Sequence, residues 1–222
     1  MRKTKIAEHI EREEKRFWFE KFRWFISSDG NIVIAGKDAK NNELVVKKYL
    51  RNTDRYAHAD VHGASSCVIK SKDIHDNKML ISEKTLDEAC QFAASFSKAW
   101  RQFHETQAYW VLPEQVSKTP ESGEYLPKGS FIIRGKRNYC RCKLEVAIGD
   151  VLIDASRKIM CGPAYAVKKR AKRYVVLEPG DMKKNDVAKS LARAFKVSVD
   201  KVLQVLPPDG IHIVETVGLS LE

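Results

Sequence analysis

His58, Asp60 and His62 stand two residues apart, a spacing that puts them on one side of an extended chain. A strand over Arg55 to His62 turns Tyr56, His58, Asp60 and His62 to one face. Ala57, Ala59 and Val61 take the other, packed face. The small residues Gly63-Ala64-Ser65-Ser66 follow directly. Two imidazoles flanking a carboxylate admit four chemistries. One is a two-histidine, one-carboxylate metal set. Another is an acid/base group in which Asp60 orients an imidazole. A third is a phosphate grip, with His and Ser donors acting beside the backbone N–H groups of Gly63 and Ala64. The fourth is a hydrogen-bonded network that fixes the strand to its neighbours.

Charge narrows the partner. The chain has 222 residues, enough for a sizeable core, and a formal net charge of +11. That surplus favours a polyanion, either nucleic acid or an anionic membrane surface. Arg134, Lys136, Arg137, Arg141 and Lys143 have no acid among them and Tyr139 in their midst. Lys168, Lys169, Arg170, Lys172 and Arg173 form a second cluster, in a stretch free of acids from Ala155 to Leu177. Solvated charge usually alternates in sign, so these one-sided runs point to phosphates. Lys47, Lys48, Arg51 and Arg55 add a third basic edge leading to the site strand. No apolar run is long enough to span a bilayer, and the N-terminus is charged rather than signal-like. The five cysteines, 67, 90, 140, 142 and 161, are odd in number and scattered, which fits a reducing cytosol.

The elements that must position these residues follow from periodicity. Met1 to about Lys21 reads as a helix with i,i+4 pairs Glu8–Arg12 and Glu11–Lys15 and a thin stripe of Ile6, Ile10 and Phe17, as at the end of a coiled coil. Phe22, Trp24 and Ile26 alternate up to Ser28-Asp29-Gly30, and Ile32-Val33-Ile34 completes a hairpin. Ala39 to Leu50 is helical, capped by Asp38, and the site strand is followed by a strand over Cys67 to Lys70. Lys84 to His104 is the clearest helix. Thr85 and Glu88 suggest a capping box, and Leu86, Ala89, Cys90, Ala93, Phe96, Trp100 and Phe103 hold one face, small enough in part to lie close on a sheet. Strands follow at Tyr109–Leu112, Phe131–Arg134, Leu144–Ile148 and Tyr174–Leu177, the last stopped by Pro179-Gly180; Ile153–Met160 is ambiguous. Helices Asp186–Phe195 and Val199–Leu206 precede a final strand, Ile211–Val214. The fold class is α+β: a mixed, largely antiparallel sheet with packed helices, preceded by the N-terminal helix and followed by a small helical and strand extension. The expected divisions are 1–21, 22–140 and 141–222.

Four ordered blocks resemble a known family. Phe19-Glu20-Lys21-Phe22-Arg23-Trp24-Phe25-Ile26-Ser27-Ser28-Asp29-Gly30 looks like the start of the NFACT-R domain, the RNA-binding segment of the NFACT family of ribosome-associated quality-control proteins. His58 to Ser66 matches that family's His-Ala-Asp-x-His-Gly-Ala signature. Val116-Ser117-Lys118-Thr119 with Gly123-Glu124-Tyr125, and Gly129 to Lys136, also match. Beyond Asn138 the likeness is weaker and closest to archaeal members. The resemblance implies a cytosolic protein that binds tRNA and rRNA on obstructed large ribosomal subunits, with a coiled coil ahead of the domain. The family's N-terminal domain is absent, so the tailing activity of full-length members does not transfer to this chain. Free-standing domains of this type carry an association with RNA modification.

Several motifs lead elsewhere. The aromatics of Phe17 to Phe25 alternate as core residues do, leaving at most Trp18 or Phe25 to stack on bases. Leu191 to Val205 has helix-turn-helix spacing, but Val199 to Leu206 lacks base-reading side chains and fits a packed helical hairpin. Cys140, Cys142 and Cys161 have poor zinc spacing, and Ser117-Lys118-Thr119 lacks the glycines of a phosphate loop.

The reading is a non-catalytic RNA-binding module with no metal or cofactor. Its RNA contacts are expected at His58, Asp60, His62, Gly63, Ser65, Lys118, Arg134, Lys136, Arg137, Arg141, Lys168, Lys169, Arg170, Lys172 and Arg173. Its partners are tRNA, rRNA and the large ribosomal subunit, with a protein partner at the N-terminal helix and no membrane. The rival readings are an RNA-modification enzyme or accessory subunit using the His58, Asp60 and His62 face, and a protein scaffold.

Overall fold

The first hairpin joins β1 (Arg23–Ile26) to β2 (Ile32–Ala35). Its turn requires Gly30, whose φ of +111° lies in the left-handed region. The Ser27 hydroxyl accepts from the amides of Gly30 and Asn31 at 3.2 and 3.0 Å. The computed structural model describes residues 16–61, 63–121, 125–208 and 210–221.

Helix α1 (Ala39–Leu44) begins at Asp38, whose carboxylate accepts from the Asn41 amide at 2.8 Å, and runs into one wider turn over Val45–Tyr49. Next come β3 (Arg55–Ala59) and β4 (Cys67–Ile69), then α2 (Glu83–Ser95). Strands β5 (Glu105–Val111), β6 (Val116–Ser117), β7 (Ile132–Ile133), β8 (Asn138–Lys143), β9 (Val146–Ile153) and β10 (Ser156–Gly162) follow. The chain continues through α3 (Ala164–Lys168), β11 (Tyr174–Met182), α4 (Lys184–Phe195), α5 (Val199–Val205) and β12 (Ile211–Val217).

The architecture is α+β with antiparallel sheets. A six-stranded sheet has the order β1-β2-β4-β3-β5-β8, a four-stranded sheet the order β10-β9-β11-β12, and β6 pairs with β7. Helix α2 lies on β3, β4, β5 and β8. Ala89, Cys90 and Ala93 on the helix and Ala57, Ala59, Cys67 and Ala108 on the strands are all fully buried. Small side chains let the backbones approach closely, and the opposite face of β3 and β5 is left for other work. The two larger sheets share one apolar core that runs from Phe19 to Ile211. They touch where Gly162 meets Phe25: a Cβ at 162 would stand 2.7 Å from the Phe25 Cβ. The Trp100 indole N–H donates to the Gly210 carbonyl at 2.8 Å, a further tie between the halves.

Several expectations are corrected. The N-terminal helix falls mostly on residues 1–15, outside the described residues, but Arg16 and Phe17 are irregular and Trp18 to Lys21 is turn rather than helix. Phe19 and Phe22 are buried there, and a turn lets both reach the core. Phe25 is fully buried and unable to stack on a base, and the half-exposed Trp18 already stacks on Tyr49 at 5.1 Å. The cap of α2 is Ser82, whose hydroxyl accepts from the Thr85 amide at 3.1 Å; Thr85 sits inside the helix. The helix stops at Ser95, a tighter turn covers Lys98–Arg101, and Phe103 is exposed. Ile153–Met160 is the β9–β10 turn and strand, with Asp154 and Ala155 at φ +48° and +62°. Pro179-Gly180 does not stop β11: Pro179 still pairs with Ile211, and a register shift between Pro179 and Met182 carries the strand past it.

Helices α4 and α5 form the packed hairpin expected of them. Val202 and Leu206 are fully buried, and α5 lies against β10. Among the described residues, no helix is long and apolar enough to cross a membrane.

Candidate RNA-binding cleft on the sheet face

Strand β3 divides its side chains as the alternation requires. Ala57 and Ala59 face α2, and Tyr56 and His58 face the other way. Antiparallel register sets His58 opposite Tyr109 on β5 and Tyr109 opposite Tyr139 on β8, so one row crosses three strands. His58 lies 6.1 Å from Tyr109, and Tyr109 lies 5.7 Å from Tyr139, measured between ring centroids. Tyr56 stacks on His58 at 6.2 Å. Tyr56 and Tyr109 are nearly covered, His58 is partly open, and Tyr139 is exposed.

A cleft of about 660 Å³ opens over Tyr56, His58 and Tyr109. One wall is the loop from Gly63 to Ser66, another is the start of α1, and a third is the segment from Pro127 to Phe131. Polar contacts hold these walls together. The Tyr56 and Ser66 hydroxyls share a hydrogen bond of 3.0 Å, and the Ser66 amide donates to the Asn42 side chain at 3.0 Å. The Gly129 amide donates to Glu43 at 3.2 Å. Gly129 has φ +81°, and a Cβ there would stand 2.6 Å from the Ala39 Cα, so only glycine permits this closure. Phe131 leans edge-on toward Tyr56 at 6.4 Å.

The rim is charged. Lys37, Lys128 and Arg137 border the cleft with Asp38 and Asp60. Arg137 sits over the Tyr109 ring at 4.7 Å and 3.7 Å from the Asp60 carboxylate. The Tyr139 hydroxyl reaches the same carboxylate at 3.4 Å. Burial lowers the His58 pKa, with backbone hydrogen bonds to Ala64 and Ala59 and the charge of Asp60 acting the other way. The imidazole is therefore neutral at pH 7, able both to donate and to accept. Burial raises the Tyr109 phenol to about 12, so it remains a donor. Chemically the cleft offers aromatic faces, neutral hydrogen-bonding groups and a cationic lip, the set that suits an unpaired base and its phosphates.

The other expected contacts are dispersed. Asp60, Gly63 and Ser65 line the cleft with His58, whereas His62 lies outside the described residues. Lys118 is exposed beyond β6, and burial, then the nearby Lys47, lowers its pKa. Arg134 pairs with Glu121 at 3.1 Å, and Lys136 is exposed on the turn whose carbonyls the Gln115 amide holds. Arg141 and Lys143 point out from β8 but are paired, Arg141 with Glu105 and Lys143 with Glu145 and Glu178. The second cluster packs around α3, away from the cleft. Lys168 binds Glu215, Arg170 donates to the carbonyls of Ile26 and Ser27, and Arg173 binds Asp150. Lys168, Lys169 and Lys172 are its exposed members, the first of them paired. The five cysteines are free thiols, and no three His, Cys, Asp or Glu gather as a metal group among the described residues.

Sequence reasoning missed Tyr109, Phe131, Lys37 and Lys128. Tyr109 has a local signal, since it stands on the strand that pairs with β3, but the register that sets it beside His58 is non-local. Phe131 lies within a block that resembles the family, yet nothing local folds it over Tyr56.

The family model described as "NFACT protein RNA binding domain" matches residues 21–135. The chain is 41% identical over 207 residues to the archaeal Rqc2 homolog aRqcH of Methanocaldococcus jannaschii, covering 91% of this chain and 30% of that protein. It is 48% identical over 149 residues to the ribosome quality control complex subunit NEMF homolog of Drosophila melanogaster, covering 67% of this chain and 15% of that protein. The chain thus spans less than a third of either relative. A solved C-terminal structure of the fibronectin/fibrinogen-binding protein from Streptococcus suis aligns at TM-score 0.44 and 27% identity, over 60% of this chain and 48% of that one. With its family-model match running from β1 through the cleft to the start of the basic turn, the chain belongs to the NFACT family.

Proposed function

We propose that this chain binds tRNA and rRNA on the large ribosomal subunit and acts in ribosome quality control; for the last part, the name of the Drosophila melanogaster relative places that protein in the ribosome quality control complex. The RNA enters as an unpaired segment on the open face of the six-stranded sheet. One base occupies the cleft over Tyr56, His58 and Tyr109, and the neighbouring phosphates meet Lys37, Lys128 and the Arg137 edge.

The observation that carries this reading is the row His58–Tyr109–Tyr139, which ends in a cleft with a cationic rim. A plain structural sheet face has no need of a half-open imidazole and an exposed tyrosine beside three bordering cations. Single-stranded RNA recognition uses stacking platforms of this kind, with salt-sensitive phosphate contacts around them. The exposed Lys118, Lys136, Lys169 and Lys172 extend the electrostatic surface beyond the cleft.

Crosslinking in cells, followed by sequencing of the bound RNA, tests the proposal. Recovery of tRNA and large-subunit rRNA supports it, and loss of both on Tyr109→Ala ties them to the cleft. Recovery dominated by messenger RNA, or unchanged in that variant, overturns it.

A further inference from the structure

Arg23, the first residue of β1, stands on the far side of the first hairpin from the aromatic row. Its guanidinium carbon lies 4.5 Å from the centre of the Phe96 ring. Its Nε and Nη1 are buried and have no hydrogen-bond partner among the described residues. Such orphaned donors are rare in folded proteins, and for a buried charge the omission is costlier still. The nearby groups give it little compensation. Cys67 and Cys161 are buried thiols whose pKa values burial pushes well up, so they bring no negative charge at pH 7. Lys37 adds a like charge.

Arg23, Lys37, Phe96 and Cys161 border a solvent-connected cavity of about 130 Å³ between β1, β10 and α5. Holding one water takes about 10–15 Å³ of such space, so the cavity has room for an ion larger than water. Its charged lining is Arg23, Lys37, Arg157, Lys158, Lys201 and Glu20. The one acid, Glu20, is already held by Lys158 at 3.0 Å and by the Phe17 amide at 2.7 Å. Arg157 is bound to Asp150 at 2.9 Å and to the Phe195 carbonyl at 2.6 Å. Arg23 and Lys37 therefore border the cavity without a carboxylate of their own in its lining, the charge of Asp38 reaching Lys37 from outside it.

We propose that this cavity is a binding site for a phosphate-sized tetrahedral oxyanion, attracted by the uncompensated charge of Arg23 in its wall and closed by Lys37. A permanently charged guanidinium in the wall and an ammonium at the mouth supply charge of one sign to such an oxyanion. The site is distinct from the aromatic cleft, although Lys37 borders both. It stands whether or not that cleft binds RNA.

Inorganic phosphate, titrated against the full chain at constant ionic strength, is the probe, read by thermal unfolding and by broadening of the phosphorus resonance. The wild-type midpoint rises saturably, by roughly 5 °C or more at a hundredfold excess over the dissociation constant. Arg23→Met abolishes the response, and Lys37→Met weakens the affinity about tenfold. Lys37 is exposed and borders both sites. Should Arg23→Met fail to fold, Lys37→Met is therefore read beside Lys128→Met, which borders the aromatic cleft alone: loss in the first and not the second supports the proposal, and equal loss in both overturns it. Absence of a saturable response in the wild type, or an equal response in Lys37→Met, overturns the proposal. The source of the anion is read by adding a short single-stranded RNA. Competition with phosphate identifies a backbone phosphate as the occupant, and simultaneous binding identifies the free ion.

Discussion

The guanidinium of Arg137 sits 4.7 Å over the Tyr109 ring while its Nη1 stands 3.7 Å from Asp60. One side chain thus covers an aromatic face and is tethered at the lip of the cleft. On the proposed reading, a base that stacks on Tyr109 must share or displace this cover, which makes Arg137 the residue to test first. Arg137→Ala should weaken binding of a short unpaired RNA by about 0.5–2 kcal/mol, measured by fluorescence anisotropy. Arg137→Lys keeps the charge and loses the planar face, and should recover only part of that affinity. Full recovery by lysine would mean that charge alone is read.

Salt dependence separates cations that meet phosphate from cations that hold the fold. Lys37→Ala and Lys128→Ala should each reduce the slope of log K against log salt by about 0.7, the single-strand value per phosphate contact. Arg173→Ala should leave that slope unchanged, because Arg173 is bound to Asp150. Burial works against ionisation of Asp150, but Arg173 and Arg157 hold its carboxyl below the usual range. Arg173→Ala should instead lower unfolding stability by about 1–2 kcal/mol in urea titration. A flattened salt slope in Arg173→Ala would restore the second basic cluster as an RNA contact.

His58 gives the stability a pH signature. Burial lowers its folded pKa below the ordinary 6.5, so between those two values the unfolded chain binds a proton that the folded chain does not. The stability contributed by neutral His58 is complete above pH 6.5 and is lost as the pH falls toward the folded value. Stability of wild type and His58→Gln, measured from pH 8 downward, should diverge in slope just below pH 6.5. Parallel curves would place the imidazole in a more open setting.

Gly129 closes the cleft from outside the sheet. Its φ of +81° and the 2.6 Å approach a Cβ would make to the Ala39 Cα predict that Gly129→Ala displaces the Pro127–Phe131 wall. The left-handed backbone alone costs about 1–2 kcal/mol for a non-glycine residue. RNA affinity should fall with little change in far-ultraviolet circular dichroism, since β3 and β5 are held by α2 from the other side. Unaltered affinity would show that the wall does not touch the ligand.

What was legible in the sequence is what neighbours in the chain decide. The turn at Ser27–Asn31, the cap at Asp38, the two-residue alternation of β3 and the small face of α2 each depend on residues within one turn or strand. Local reading fails wherever a distant partner decides. The 168–173 cluster reads as free charge until Glu215 and Asp150 arrive from other strands to pair with Lys168 and Arg173. Pro179-Gly180 reads as a stop until β12 accommodates it with register shifts. Phe17 to Lys21 continues a helical pattern on paper, but burying both Phe19 and Phe22 calls for a turn. Tyr109 and Phe131 join His58 only through strand order and loop closure, which no local spacing encodes.

Gly162 packed on Phe25 bears on how the protein can be dissected. The family match ends at residue 135, before β8 begins. A fragment cut there would leave the hydrogen-bonding edge of β5 from Glu105 to Trp110 without its neighbour and would bare Phe25 where β10 now rests. Unpaired strand edges beside exposed aromatics recruit other chains, so such a fragment should aggregate rather than report on RNA binding. The segment that carries the shared signature and the apolar core it is packed into have different limits, and the second extends well into the C-terminal sheet.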